Sequence, residues 1–138
     1  MFTGPIEDRV AIRELNDIYG DGVVRIDADT WGSVWAEDAT WHFMGQVLEG
    51  REAIVGLWQG AMSNFESVSF VCAPASIEVD GDTATGRCQT QEILKGKDGS
   101  TRYIGGLYED KLAKINGEWK FTFRAWSMIA EFRPPEEN

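Results

Sequence analysis

Lys114-Ile115-Asn116-Gly117-Glu118-Trp119-Lys120-Phe121, KINGEWKF, joins two alternating apolar runs through an Asn-Gly pair. Asn and Gly tolerate positive φ at both central positions of a two-residue turn, and that backbone matches the twist of the strands on either side. The same grammar recurs on both sides of it. Trp119 to Ala130 and Arg102 to Lys114 read as strands, preceded by a turn at Lys97-Asp98-Gly99-Ser100 and a strand from Thr83 to Lys95. Before those come a turn at Asp80-Gly81-Asp82 and a strand from Ser67 to Val79. Successive hairpins of this kind predict a long antiparallel meander.

Further upstream the period changes. From Pro5 to about Arg25 the apolar residues Ile6, Val10, Ile12, Leu15, Ile18 and Tyr19 recur at helical spacing, with Gly20 and Gly22 weakening the last turns. Asp29 to Ala36 reads as a second, short helix capped by Asp29 or Thr30, which leaves Asp27 at a helix junction. Thr40-Trp41-His42-Phe43-Met44 alternates as a strand, and a helix follows from about Glu52 to Phe65, carrying Ile54, Val55, Leu57, Trp58 and Met62. Helices first and a meander afterwards predict an α+β domain in which a strongly curved antiparallel sheet wraps around the N-terminal helices. The interior of such a cone is a natural pocket.

The 138 residues are 43% hydrophobic and 12% aromatic, enough for one domain with a real core. A formal charge of −10 repels phosphate backbones and anionic bilayers, so neither nucleic acid nor membrane is an expected partner. The N-terminus MFTGPIEDRV has no basic start or apolar core of a leader, and the expected location is cytoplasmic. Cys72 and Cys88 read as buried thiols. With His42 as the single histidine, one chain cannot assemble a histidine-rich metal site, and no metal is expected. The tail RPPEEN, charged and rich in proline, is expected to be disordered at its end.

Several residues carry chemistry. Asp27 reads either as a solvated cap of the following helix or as a carboxylate whose pKa a desolvated site would raise. In Gln89-Thr90-Gln91-Glu92-Ile93-Leu94, period two puts Thr90, Glu92 and Leu94 on one face; both faces are mixed, so alternation does not decide which is buried. Strict alternation also separates Arg124 from Trp119, Phe121 and Phe123. Either a bulge reverses the strand after Phe123, or Trp119 and Phe121 pack outside the pocket. Most of the six tryptophans belong in the core, and several aromatics in one cone suit a flat cyclic ligand.

The order of elements, Asp27 ahead of Trp31, the run Asp38-Ala39-Thr40-Trp41 and the closing Asn116-Gly117-Glu118-Trp119-Lys120-Phe121 together resemble the SnoaL-like branch of the NTF2-like superfamily, over nearly the whole chain. Within it the chain looks most like scytalone dehydratase, hexachlorocyclohexane dehydrochlorinase and bile-acid 7-dehydratase. The resemblance implies a cone-shaped fold, subunits joined as homodimers or homotrimers, and a cofactor-free lyase or isomerase acting on a small hydrophobic cyclic molecule. It places Asp27 at the position of the catalytic aspartate, Arg124 at that of a pocket arginine and Glu92 at that of a pocket carboxylate. A gapless count back from Thr85-Gly86 puts Ser69 where those relatives carry a histidine, and serine has no pKa near neutrality.

The implied site holds Asp27, Glu92 and Arg124 as its catalytic residues. Trp41, Phe43, Ser69, Thr90 and Tyr108 line the substrate, with Arg124 the natural counter-charge for an inward Glu92. His42, between Trp41 and Phe43, then faces outward. Two further functions remain open: an epoxide hydrolase or polyketide cyclase of the same superfamily, which could use the same residues and needs no histidine, and a non-catalytic module that binds a hydrophobic ligand or helps assemble a partner.

Overall fold

The computed structural model describes residues 1–135. The expectation of disorder at the end of the RPPEEN tail falls on 136–138, outside the described residues. A short strand β1 (Phe2–Thr3) precedes helix α1 (Ile6–Arg25) and helix α2 (Ala28–Ser33). Strands β2 (Trp35–Phe43) and β3 (Gln46–Glu49) then lead to helix α3 (Arg51–Met62). The long strands β4 (Phe65–Asp80), β5 (Thr83–Gly96), β6 (Thr101–Ile115) and β7 (Glu118–Phe132) complete the chain.

All strands join one open sheet in the order β1-β4-β5-β6-β7-β2-β3. The meander β4 to β7 is antiparallel as predicted, whereas β1 runs parallel to β4 and β2 parallel to β7. The sheet curves over the helices in the α+β cone the sequence predicts. Two strands escaped the sequence reading. β1 is only two residues long, and β3 is reached through Met44-Gly45, whose φ angles of 51° and 78° make the same left-handed pair as Asn116-Gly117 without an Asn to announce it. The segment read as the end of the second helix is strand from Trp35, because Val34, Trp35 and Ala36 are buried together as a continuous apolar run.

α1 turns only part of the expected face inward. Ile12, Leu15, Tyr19 and Val23 are buried at steps of three and four, while Ile6, Val10 and Ile18 are exposed. Gly22 has a packing reason: a Cβ there would stand 2.8 Å from the Trp31 backbone nitrogen, so the absence of a side chain lets α1 and α2 touch. α3 buries Ile54, Trp58 and Met62, one residue per turn. Trp58 stacks on Trp31 with ring centroids 4.5 Å apart and planes within 7°.

Two of the sheet's irregularities decide how Arg124 and Ser69 face. On β7, Phe123 pairs with Lys111 and Phe121 with Leu112, so Thr122 is an extra residue and the alternation reverses across it. Trp119 and Phe121 face the core before the bulge, and Arg124 faces it afterwards. On β4 an irregularity between Pro74 and Ser76 has the same effect. Val68 and Phe70 face inward, Ser69 and Val71 outward.

Candidate functional site

The open end of the cone holds a cavity of ≈ 250 Å³ with an apolar lining. β2 supplies Trp41 and Phe43 to its wall, α3 supplies Leu57, Trp58 and Met62, and α1 supplies Tyr19 and Val23. Phe70 of β4, Glu92 and Leu94 of β5, Arg102, Ile104 and Tyr108 of β6, and Trp126 of β7 close it. The alternation that buries Cys88, Thr90 and Leu94 on β5 places Glu92 between them in register, and that is why its carboxyl points inward.

The aromatic wall is ordered by its own hydrogen bonds. Trp41 stacks on Phe43 at 4.6 Å, and Phe43 meets Trp126 at 5.3 Å. Trp126 donates its indole N–H to Thr90 Oγ1 at 3.1 Å and lies across Gly106, where a Cβ would overlap the indole. Trp41 Nε1 donates to Tyr108 Oη at 3.1 Å, and the Tyr19 and Tyr108 hydroxyls share a 2.7 Å bond. Two hydroxyls in one mutual bond use one hydrogen. The other has no acceptor among the described residues, which leaves one phenolic O–H in the cavity wall free to meet an oxygen of a ligand. Burial pushes both phenol pKa values up, so the pair remains neutral and able to donate.

Glu92 is the carboxyl that lines the cavity, and burial raises its pKa to about 7, against a smaller downward pull from Arg102. It makes no ion pair within 4 Å among the described residues. A carboxyl poised near neutrality is present in both protonation states at the pH where it would work.

The remaining expected site residues stand elsewhere. Asp27 is not a desolvated base. It caps α2, accepting from the Thr30 backbone N–H at 3.2 Å and the Thr30 hydroxyl at 2.9 Å, with Arg25 at 3.1 Å. The Thr30 bonds, and to a lesser extent Arg25, hold its carboxyl below the usual range instead of above it. The physical cause lies in the junction: Ile26 adopts a left-handed φ of 49° at the end of α1, so Asp27 leaves the helix extended and meets the exposed first turn of α2. Neither Asp29 nor Thr30 is the cap. Ser69 is exposed on the outer face, because the gapless count from Thr85 crosses the β4 irregularity, and Phe70 takes the inward place. Thr90 is buried but stands behind Trp126, which it orients.

Arg124 lies beneath the cavity wall, fully buried, and its partner is Asp110 instead of Glu92. Its guanidinium sits 3.9 Å from the Tyr108 ring centroid and 4.6 Å from that of Tyr19, so it packs against both phenol rings. His42 is exposed and packs on Phe123 at 5.0 Å, as expected of an outward residue. Tyr19, Trp126 and Arg102 were not singled out in the sequence. Tyr19 was visible in the helical period, but Trp126 became an inward residue only through the Thr122 bulge. Among the described residues no cluster of His, Cys, Asp and Glu side chains is arranged to hold a metal, and no helix is long and apolar enough to cross a membrane.

An open curved sheet over helices with an apolar pocket at its wide end defines an NTF2-like α+β protein. Within that class the chain belongs to the SnoaL-like domain family, which matches residues 5–125. Similar solved structures include a provisionally assigned aromatic-ring hydroxylase from Novosphingobium aromaticivorans, 25% identical with a TM-score of 0.88 over 96% of each chain. A provisionally assigned scytalone dehydratase from the same organism is 19% identical with a TM-score of 0.86, over 96% of this chain and 91% of that one. The type 3 hexachlorocyclohexane dehydrochlorinase of Novosphingobium barchaimii is 20% identical with a TM-score of 0.84, over 94% and 91%. At such identities the likeness shows the fold. No curated protein matches the chain with significance.

Proposed function

We propose that the protein is a cofactor-independent lyase or isomerase acting on a small hydrophobic cyclic molecule, with Glu92 as the proton-transfer group. The observation that carries this reading is a lone carboxyl, with its pKa raised to about 7 by burial, inside an aromatic cavity whose wall offers a free phenolic O–H. In a dehydration, ionised Glu92 takes the proton next to a ring carbonyl. The carbonyl oxygen, gaining charge, accepts from the Tyr19–Tyr108 pair. Glu92 then returns the proton to the departing hydroxyl, so a C–H and a C–O bond break, a C=C bond forms and water leaves. Arg124 contributes through the tyrosines it packs against. The names of the dehydratase and dehydrochlorinase neighbours support the same class of reaction.

The test is a panel of cyclic β-hydroxy ketones and epoxides followed by mass. Loss of water that rises with an ionisation near pH 7 and disappears in Glu92→Gln is the expected result. Turnover undiminished in Glu92→Gln would overturn the assignment, and gain of water by an epoxide would redirect it to hydrolysis. A binding module is the second reading. What favours it is that Asp27 and Arg124 both lie outside the cavity, leaving a single carboxylate to do all the proton transfer. No turnover across the panel, with tight retention of the same rings, would establish that reading. Pairing of subunits through the outer sheet face is part of the proposal: Val71, Ile93 and Ile129 are exposed there, and light scattering of the purified chain tests it.

A further inference from the structure

The wide end of the cavity carries charge that the apolar reading does not use. Across the inner rim, Glu92 of β5 pairs with Ile104 of β6 and Ile104 with Glu131 of β7; the neighbouring row sets Arg102 opposite Leu94. Arg102 therefore stands on the rim between two carboxyls and bonds only one of them. Its Nε donates to Glu131 Oε1 at 2.8 Å, and the same oxygen accepts from Arg133 Nε at 2.8 Å. The two terminal nitrogens of Arg102 donate to no group among the described residues. Glu92 feels the charge of Arg102 through space but forms no ion pair with it within 4 Å. While Glu92 is protonated, two guanidiniums, Arg102 and Arg133, face one ionised carboxylate, Glu131, and the mouth carries positive charge in a chain whose formal charge is −10.

We propose that Arg102 is a specificity-determining residue, and that the occupant of the cavity is a small cyclic apolar acid whose carboxylate docks on the terminal nitrogens of Arg102 while its ring enters the aromatic wall. Nε is already pinned by Glu131, so the guanidinium plane is preorganised and presents its outer edge to a planar acceptor. That fork geometry suits the two coplanar oxygens of a carboxylate. The side chain is 26% exposed, which keeps it reachable and yet partly desolvated. The inference rests on the reading of this cavity as the ligand site.

Titration calorimetry of the full chain with naphthoate and with its methyl ester separates the two readings. Wild type should bind naphthoate about tenfold more tightly than the ester, the ratio expected of a charge-assisted hydrogen bond. Arg102→Met should bind the acid and the ester alike at the wild-type ester affinity, which also shows that its cavity is intact. Glu131→Gln, which removes the competing anion, should tighten naphthoate further. Equal affinities in wild type, or a preference for the acid that survives Arg102→Met, overturns the role of Arg102 and leaves the cavity reading standing. If neither compound binds, both readings fall.

Discussion

Asp110 and Arg124 face one another directly on β6 and β7, joined by two hydrogen bonds of 2.7 and 3.0 Å with both side chains almost wholly out of water. Arg124 also donates to Asn16 Oδ1 at 3.0 Å, which ties α1 to the sheet beneath the tyrosine pair. Asp110→Asn should cost about 3–5 kcal/mol of stability, because a buried guanidinium loses its counter-charge. The double replacement Arg124→Met with Asp110→Leu should be much less destabilising than either single change. Urea denaturation of Asp110→Asn, Arg124→Met, Asp110→Leu and the double variant checks both statements.

Glu92 makes stability depend on pH in a particular direction. Its folded pKa of about 7 exceeds the ordinary 4.5, so between those values the unfolded chain releases the proton first. Stability contributed at this site is complete below the lower value and falls as pH rises to the upper one, by at most about 3 kcal/mol. Glu92→Gln should be more stable than wild type above that window and should lose the slope within it. Denaturation midpoints of the two proteins at several pH values make the comparison.

The cap at Asp27 predicts a structural phenotype. Asp27→Ala should lower the melting midpoint by a few degrees, because the Thr30 amide loses its acceptor, while Asp27→Asn, which can still cap, should change it little. Neither should alter ligand affinity at the cavity. Unchanged melting with abolished turnover would instead place Asp27 in the chemistry.

Gly106 and Trp126 should be energetically coupled. Gly106→Ala pushes the indole off its seat and away from Thr90, at a cost of about 1–3 kcal/mol, and should weaken ring binding at the same time. With Trp126→Leu already in place the added methyl should cost little, and a double-mutant cycle measures the difference.

Hairpins were legible in the sequence wherever turn chemistry announces itself, as at Asp80-Gly81-Asp82 and Asn116-Gly117. The Met44-Gly45 turn does not, since Met gives no local signal of a left-handed φ. The candidate site was legible one residue at a time. Trp41, Phe43, Tyr108 and Glu92 were assigned to the cavity by the family resemblance, and they line it because no extra residue interrupts β2, β5 or β6 at those positions. Ser69 and Arg124 could not be oriented, because each lies beyond a single extra residue that reverses the face of its strand, and such an insertion follows from pairing with the neighbouring strand. For Asp27 the sequence offered both a cap and a base, and the choice between them was not legible because a β-branched residue in the left-handed region, Ile26, sets its direction.

Trp31 and Trp58 lie nearly parallel at 4.5 Å, close enough for their electronic transitions to mix, and only Trp58 of the two borders the cavity. The stack is thus an optical antenna with one end in the binding space. A ring that settles against Trp58 and shifts its plane by a few degrees would change the near-ultraviolet circular dichroism of both, so occupancy by transparent, non-aromatic ligands can be followed in the unlabelled protein.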